Sequence, residues 1–278
     1  MTVPSRRVKR PLAALLVERG FFQIEEDARR WIMAGQVLVD GQRIDKPGTA
    51  VATDVDVRVR GQRRYVSRGG YKLEAALDHF GVSPEGRVAL DCGASTGGFT
   101  DCLLQRGASF VFAVEAGHGQ LTGRLASDLR VRNLEHTNLG DLAPTALDPC
   151  PTLITLDLSY LSLTVALPLS GTLLAPYGDV LALFKPLFEV DDPVARRTGR
   201  LDNPALLIDA LRRVLDAGAT AGLTPMGAVK LALRPRHGVH EFFLQFRRGA
   251  DLNGWTYDVS ALAAVVEGPG VGRTDGEE

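Results

Sequence analysis

The chain has 278 residues, 45% of them hydrophobic, and a formal net charge of −1 at pH 7. That length and composition allow one large domain or two smaller ones, each with a full core. Three cysteines (Cys92, Cys102, Cys150) are too few for a disulfide framework and have no metal-ligand spacing. No metal is therefore expected, and a reducing, cytoplasmic compartment fits. The charge is unevenly placed. Residues 1–70 hold 14 Lys/Arg against 8 Asp/Glu, and residues 71–278 hold 18 against 25. A balance of +6 in the first stretch and −7 in the second suggests an N-terminal region suited to a polyanion.

The N-terminus is too basic and too poor in apolar residues for a secretory signal. Leu12, Leu15 and Leu16 mark a short first helix, with Phe22 after it. Glu25, Glu26 and Asp27 open a second helix, where the dipole favours acids. It runs through Ala28, Trp31 and Ile32 to a stop at Gly35. Asp40-Gly41 between Val37-Leu38-Val39 and Gln42-Arg43-Ile44 is a hairpin signal. Lys46-Pro47-Gly48 closes a loop, and Val51 to Val59 alternates as one edge strand. A basic helix face of Arg10, Arg29 and Arg30, with Arg43 and Lys46 beside it, would meet phosphates.

Residues 61–71 form a basic connector containing Arg63, Arg64, Arg68 and two tyrosines. A hinge that also touches the polyanion accounts for this better than an inert spacer. From Lys72 on, helix and strand patterns alternate. Strands are predicted at 87–91, 110–115, 152–157, 179–185, 227–233 and 240–247, and helices at 72–80, 98–106, 119–127, 162–174 and 203–217. This is the pattern of a doubly wound α/β domain. The expected organisation is 1–60, 61–71, 72–250 and a C-terminal extension 251–278, whose last residues 266–278 are expected to be disordered. Leu158 to Gly178 carries no charge over 21 residues, enough to span a bilayer. Pro168, Gly171, Pro176, three serines and two threonines argue instead for a turn, a core-facing helix and a loop, so no membrane partner is expected.

The apolar strand Val88-Ala89-Leu90 runs into Asp91-x-Gly93-x-x-x-Gly97-Gly98 and then a helical pattern. Glycine lets backbone approach a ligand where a Cβ would block it. The next strand ends at Glu115, where an acid takes a ribose hydroxyl of a nucleoside cofactor. Four further charges stand at telling places. Lys72 opens a helix, Asp157 and Lys185 each end an apolar strand, and Glu241 begins another. Ligands of an open parallel sheet bind at the carboxyl ends of its strands, which makes these residues site candidates. The plain alternative for each is a structural ion pair.

Ala28-x-x-Trp31-Ile32-x-Ala34-Gly35-x-Val37-x-Val39-Asp40-Gly41 and Lys46-Pro47-Gly48 resemble the S4 RNA-binding domain. Such domains dock on structured RNA by shape and backbone charge. Arg10-Pro11-Leu12 departs from the Arg-Leu-Asp common there, and Pro11 suits a first helical turn. Lys72, Asp157, Lys185 and Glu241 match the Lys-Asp-Lys-Glu tetrad of FtsJ-type RNA 2′-O-methyltransferases. With an S4 domain in front, the chain resembles the TlyA/hemolysin A family over about residues 5–248. The motifs are Tyr65-Val66-Ser67-Arg68-Gly69-Gly70-Tyr71-Lys72-Leu73, the stretch Asp91 to Asp101, Asp157-Leu158-Ser159-Tyr160-Leu161-Ser162-Leu163 and Lys185-Pro186-Leu187-Phe188-Glu189.

The resemblance implies a Rossmann-like methyltransferase sheet with an antiparallel edge pair behind a small S4 domain. It also implies methyl transfer from S-adenosylmethionine to a ribose 2′-hydroxyl of ribosomal RNA or ribosomal subunits. On this reading Lys185 removes the hydroxyl proton, which requires a neutral lysine; a neighbouring cation, Lys72, and exclusion of water favour that form. Asp157 orients the lysines near the sulfonium, and Glu241 holds Lys72 or the hydroxyl. Asp91, Gly93, Ser95, Thr96, Gly97, Gly98 and Phe99 would form the cofactor turn, Glu115 would take the ribose, and Asn138 or Asp141 the adenine. Leu187 and Gly140 stand where the family commonly has Gln and Arg, and Val239-His240-Glu241 follows Gly238 where it commonly has Gly-Asn-x-Glu. A ribosome-associated RNA binder with a degenerate site, or a cytolytic protein, are the rival readings; the intact tetrad argues against the first, and no amphipathic or apolar segment supports the second.

Overall fold

The computed structural model describes all residues except 1–7, 20, 23, 62–63, 202, 234–238, 250–252 and 274–278. The chain divides into two compact units that meet at Arg64 and Tyr65.

In the first unit, β1 (Lys9–Pro11) leads into α1 (Leu12–Glu18), followed by α2 (Glu25–Met33), β2 (Val37–Val39), β3 (Gln42–Ile44), β4 (Ala50–Ala52) and β5 (Val57–Val59). The Asp40-Gly41 hairpin forms as its sequence suggests, with both residues at positive φ. β2 lies between β3 and β5, while β4 pairs with β1. The stretch 51–59 is therefore two short strands in two sheets, not one edge strand. Its chain turns at Thr53-Asp54 and rejoins only at Val57. Leu12, Leu15, Leu16, Ala28, Ile32, Val37, Val39, Val51 and Val57 close its core. Arg10 lies in β1, so it is not part of a helix face with Arg29 and Arg30.

The second unit has α3 (Arg68–Phe80), β6 (Val88–Cys92), α4 (Gly98–Gln105), β7 (Phe110–Val114), α5 (Gly123–Ala126), β8 (Val131–Leu134), β9 (Leu153–Leu156), α6 (Leu163–Leu173), β10 (Gly178–Phe184), α7 (Pro186–Glu189), α8 (Pro193–Thr198), α9 (Pro204–Thr220), β11 (Thr224–Lys230), β12 (Phe242–Arg248) and α10 (Val259–Glu267). Its sheet runs β11-β12-β10-β9-β6-β7-β8. β10, β9, β6, β7 and β8 are parallel, and β12 is antiparallel between β10 and β11. The order reverses between β6 and β9, the switch point where such sheets bind ligands.

Successive residues face opposite sides of a strand, so both faces of this sheet are apolar. Leu90, Phe112, Ile154, Leu156, Ala182 and Phe184 pack with α6, α9 and Leu262 of α10. Ala89, Val111, Leu153, Leu181, Leu183 and Phe243 pack with α3 and α4.

Several predicted boundaries move. α3 begins at Arg68, four residues early, because Ser67 caps it by accepting a bond from Gly69 N at 3.3 Å. Tyr65 is buried in the second unit's core, so the latter part of the connector belongs to that unit. The helix expected at 119–127 shrinks to Gly123–Ala126. β8 was not expected: Val131-Arg132-Asn133-Leu134 is half polar, as suits a sheet edge. The tail is ordered further than its composition suggests. Residues 266 and 267 finish α10, and Val271 pairs in parallel with Leu231. The long uncharged stretch holds only the eleven-residue α6, and among the described residues no helix is long and apolar enough to cross a membrane.

Candidate active site

Four of the sequence candidates meet at one end of β10. Asp157 follows the last residue of β9, and its amide donates to Cys92 O at 2.9 Å, extending the β9–β6 ladder by one rung. Lys185 follows the last residue of β10, the neighbouring parallel strand. Phe184 pairs with Phe242 across the antiparallel β10–β12 ladder, so Glu241 and Lys185 leave that ladder at the same edge. Lys72, in the second turn of α3, reaches Glu241.

The charges form two separate pairs. Lys185 Nζ lies 2.6 Å from Asp157 Oδ1, and Lys72 Nζ lies 2.5 Å from Glu241 Oε2. Asp157 therefore orients one lysine rather than both. Lys185 also donates to Leu158 O at 3.2 Å and to Ser159 Oγ at 2.8 Å. Two hydrogen-bond acceptors and one carboxylate thus surround its ammonium. The side chains are 16% (both lysines), 24% (Asp157) and 10% (Glu241) exposed. Partial burial of this kind strengthens electrostatic interaction while leaving the groups reachable. The exposed Phe188 ring lies 5.9 Å from the Lys185 ammonium.

The glycine turn stands against this edge. Gly93 has φ +86°, and a Cβ there would fall 2.4 Å from Asp157 O. Gly97 has φ +96°, and its Cβ would strike Leu125 at 2.3 Å. Any larger residue at either position would push the turn away from its neighbours. Gly98 serves packing: its Cβ would meet Ser67 Oγ at 2.1 Å, so the start of α4 sits on the start of α3. Phe99 is also a packing residue. It is buried, with its ring 5.8 Å from that of Phe243, and does not line the turn as expected. Ser95 (φ +48°) and Thr96 are exposed at the tip.

Asp91 is fully buried, and its oxygens accept from Thr100 Oγ1 at 2.7 Å and Thr155 Oγ1 at 3.0 Å. Burial pushes its carboxyl up to about 6 from the ordinary 3.8. The two hydroxyls oppose that shift and the Asp157 charge adds to it. Both oxygens face inward, so Asp91 ties the turn to β9. Burial also raises the Cys92 thiol far above its usual range, leaving it protonated.

Glu115 directly follows β7, one residue past the strand's last position. Its Oε2 accepts from Ser95 N at 2.9 Å and its Oε1 from Gly117 N at 2.8 Å. A carboxylate keeps further acceptor capacity after two such bonds, which fits a ribose diol. Asn138 is exposed and donates to Asp141 Oδ2 at 3.1 Å, next to the Leu139 amide that Tyr160 Oη accepts at 3.2 Å. His118 stacks on His136 with ring centroids 4.9 Å apart.

The polyanion candidates sit apart from this edge in the sequence. Arg10 meets Glu18 at 3.9 Å, Arg29 meets Glu25 at 2.8 Å, and Arg30 pairs with Asp27. All are solvent-exposed pairs of the kind that contribute little to stability and exchange readily. Arg43 lies on Gly35, whose Cβ would collide with its guanidinium, and Lys46 is exposed. Arg64 is exposed, Arg68 opens α3, and Arg63 lies outside the described residues.

A family model for FtsJ-like methyltransferases matches residues 65–248. The chain belongs to this family. A second model, the S4 domain, matches residues 10–57. The Bacillus subtilis protein YqxC, a candidate rRNA methyltransferase, is 41% identical over 238 residues, covering 85% of each chain. The 16S/23S rRNA (cytidine-2′-O)-methyltransferase TlyA of Mycobacterium tuberculosis is 37% identical over 260 residues, covering 92% of this chain and 97% of its own. A solved structure of a candidate hemolysin from Streptococcus thermophilus superposes with a TM-score of 0.67 at 33% identity, covering 94% and 96% of the two chains.

Within this FtsJ-like methyltransferase, sequence reasoning passed over three residues near the edge. Ser159 holds Lys185, and its only sequence signal was its place two residues after Asp157. Glu189 accepts from Ser162 Oγ at 2.6 Å and Leu163 N at 2.9 Å, fixing the start of α6 beside the Lys185 segment. Asp101 accepts from Val66 N at 2.9 Å and pairs with Arg124 at 2.5 Å, bracing the glycine turn from behind. Of the departures, His240 Nδ1 contacts Leu231 O at 2.9 Å beside Glu241, Leu187 lies in α7, and Gly140 lies in a 3₁₀ turn.

Proposed function

We propose that this methyltransferase uses S-adenosylmethionine to methylate a ribose 2′-hydroxyl of ribosomal RNA in the cytoplasm, with its S4 domain holding the RNA. Names of relatives that specify cytidine 2′-O-methylation make a cytidine ribose the preferred target. The observation that carries the reading is the pair of lysine–carboxylate contacts at one end of β10, next to a turn that only glycine can build.

Gly93, Ser95, Thr96 and Gly97 would hold the methionine part of the cofactor, Glu115 its ribose, and Asn138 with Asp141 its adenine edge. When bound, S-adenosylmethionine supplies an electrophilic methyl group on a sulfonium. A ribose hydroxyl is a weak nucleophile until its proton is removed. Lys185 would accept the O2′ proton as that oxygen takes the methyl group, the carbon–sulfur bond breaking to leave a neutral thioether. The ammonium produced is the form that Asp157, Leu158 O and Ser159 accommodate. The pair Lys72–Glu241 would fix the hydroxyl side of the crevice. In-line placement of oxygen, carbon and sulfur supplies the remaining acceleration.

The test is to incubate the protein with unmodified ribosomal subunits and methyl-labelled S-adenosylmethionine, then map ribose methylation. The expected outcome is a discrete 2′-O-methylated site that Lys185→Ala abolishes. Calorimetry that detects no cofactor binding by the unaltered protein would overturn the reading.

A further inference from the structure

The first unit holds a cavity of about 430 Å³ that the active-site chemistry does not use. Arg30, Trp31, Ala34, Gln36, Arg60 and Gly61 line it. Trp31 of α2 and Ala34, the residue that caps its C-terminus, lie three positions apart, and an alanine is too small to cover the indole. Backbone bonds set the walls. Gln36 N donates to Trp31 O at 3.1 Å, and Arg60 N donates to Gln36 O at 2.6 Å, one rung beyond the β2–β5 ladder. Gly61 (φ +72°) carries the chain along the ring edge, where a Cβ would stand 3.7 Å from the indole. Phe22 supports the indole, with ring centroids 6.0 Å apart.

The two arginines at this cavity, Arg30 and Arg60, differ in their partners. Arg10, Arg29, Arg30 and Arg58 each have an acidic partner. Arg60 is exposed and, among the described residues, pairs with no acid. An unneutralised guanidinium therefore borders a half-buried indole and a side-chain amide. Those three groups are the complement of one nucleotide: an aromatic face for the base, an amide that both donates and accepts for its edge, and a cation for its phosphate. The surroundings suit a polyanion, since residues 1–64 hold 13 Lys/Arg against 8 Asp/Glu.

We propose that this cavity takes one unstacked nucleotide of the RNA, with its base on Trp31 and its phosphate on Arg60. The proposal deepens the RNA-methyltransferase reading, which supplies RNA as the ligand, but it can be tested without methyl transfer. The chain has two tryptophans, Trp31 and Trp255. Trp255→Phe leaves Trp31 as the single indole emitter in the full chain. A single-stranded oligoribonucleotide should quench that emission, and inorganic polyphosphate, which carries charge without bases, should not. Trp31→Leu should weaken oligoribonucleotide binding roughly 5-fold or more, the scale of one lost base stack. Arg60→Gln should weaken it with a shallower salt dependence, as expected for one lost phosphate contact.

Both variants should bind S-adenosylmethionine like the parent, which separates loss of the site from loss of the fold. Unquenched Trp31 emission at saturating RNA would overturn the proposal. So would equal quenching by polyphosphate, parental RNA affinity in both variants, or quenching by an aromatic peptide in place of RNA. Absent methyl transfer with quenching intact would instead remove the reading of the second unit and leave this site standing.

Discussion

β10 carries buried ion pairs at both ends, and the two ends behave differently. At its start, Asp179 accepts from Arg87 at 2.8 Å and Arg247 at 2.9 Å, with Gln245 Nε2 at 3.4 Å. At its finish, Lys185 meets Asp157, and Glu241 beside it meets Lys72. The chemistry of pairing is the same. The start of a parallel strand faces no switch-point crevice, so its carboxylate is clamped between two guanidiniums and joins β6, β10 and β12. The finish opens beside the glycine turn, where each carboxylate holds one lysine and leaves the group reachable. Position relative to strand direction, rather than the presence of an ion pair, separates a staple from a reaction site.

The comparison breaks most sharply at Lys185. Lys185→Ala should lower methyl transfer by roughly 10²–10⁴-fold, the range for removing a general base. Cofactor binding by calorimetry and the melting temperature should change little. If instead stability falls and residual activity tracks the folded fraction, the finish of β10 is a second staple.

Asp179→Ala should do the reverse. It strands two arginines, and the expected loss is about 2–4 kcal/mol, somewhat below the cost at a fully buried pair because Arg247 is partly solvated. Denaturant titration reads this directly, while the turnover of the folded fraction should stay at the parental value.

Asp91 sharpens the comparison, because it is a buried carboxylate with hydroxyl partners and no cation. Its folded-state carboxyl titrates at about 6 against 3.8 as the ordinary value. The folded state therefore holds this proton more tightly than the unfolded chain. The stabilisation is complete below about pH 4 and is lost as pH rises to about 6, to the extent of about 3 kcal/mol. Asp91→Asn should remove that slope, so the stability difference between variant and parent should move in the variant's favour between pH 4 and 6.5. Parallel stability curves across that range would show that Asp91 stays ionised throughout.

The smallest effect is expected at Ser159. Ser159→Ala removes one of the two hydrogen-bond acceptors of Lys185 and should lower kcat roughly 2–10-fold, the worth of one hydrogen bond to a charged group. KM for the cofactor should not move, and Ser159→Thr should restore the rate. An equal fall in kcat and in cofactor affinity would mean that Ser159 shapes the turn rather than positions the lysine.

Much of the second unit was legible because its strands are buried on both faces and read as apolar runs. Four of the seven were predicted within one residue at each end. β8 escaped notice because an edge strand can be half polar. The start of α3 escaped because Gly69-Gly70 reads as a helix breaker. Packing overrides propensity there: a Cβ on Gly70 would fall 2.2 Å from the Tyr65 ring, so only glycine admits the contact. Phe99 was misplaced for the opposite reason. A residue next to a glycine turn looks like a ligand contact, and only the packed helix shows that its ring turns toward Phe243.

The sequence by itself determined which residues carry charge at the ends of apolar strands, where the glycines fall, and that a basic stretch precedes an acidic one. Local chemistry sets these: strand burial, backbone freedom and composition act over a few residues. Tertiary structure alone decided who pairs with whom. Lys72 is 169 positions from Glu241 and Lys185 is 28 from Asp157. Lys185 and Asp157 meet because β9 and β10 run parallel side by side, and Glu241 joins their edge because β12 returns antiparallel to β10 in a register that ends at Phe184 and Phe242. Register is a property of the whole sheet, since a slip of one residue would turn every side chain of the strand to the opposite face.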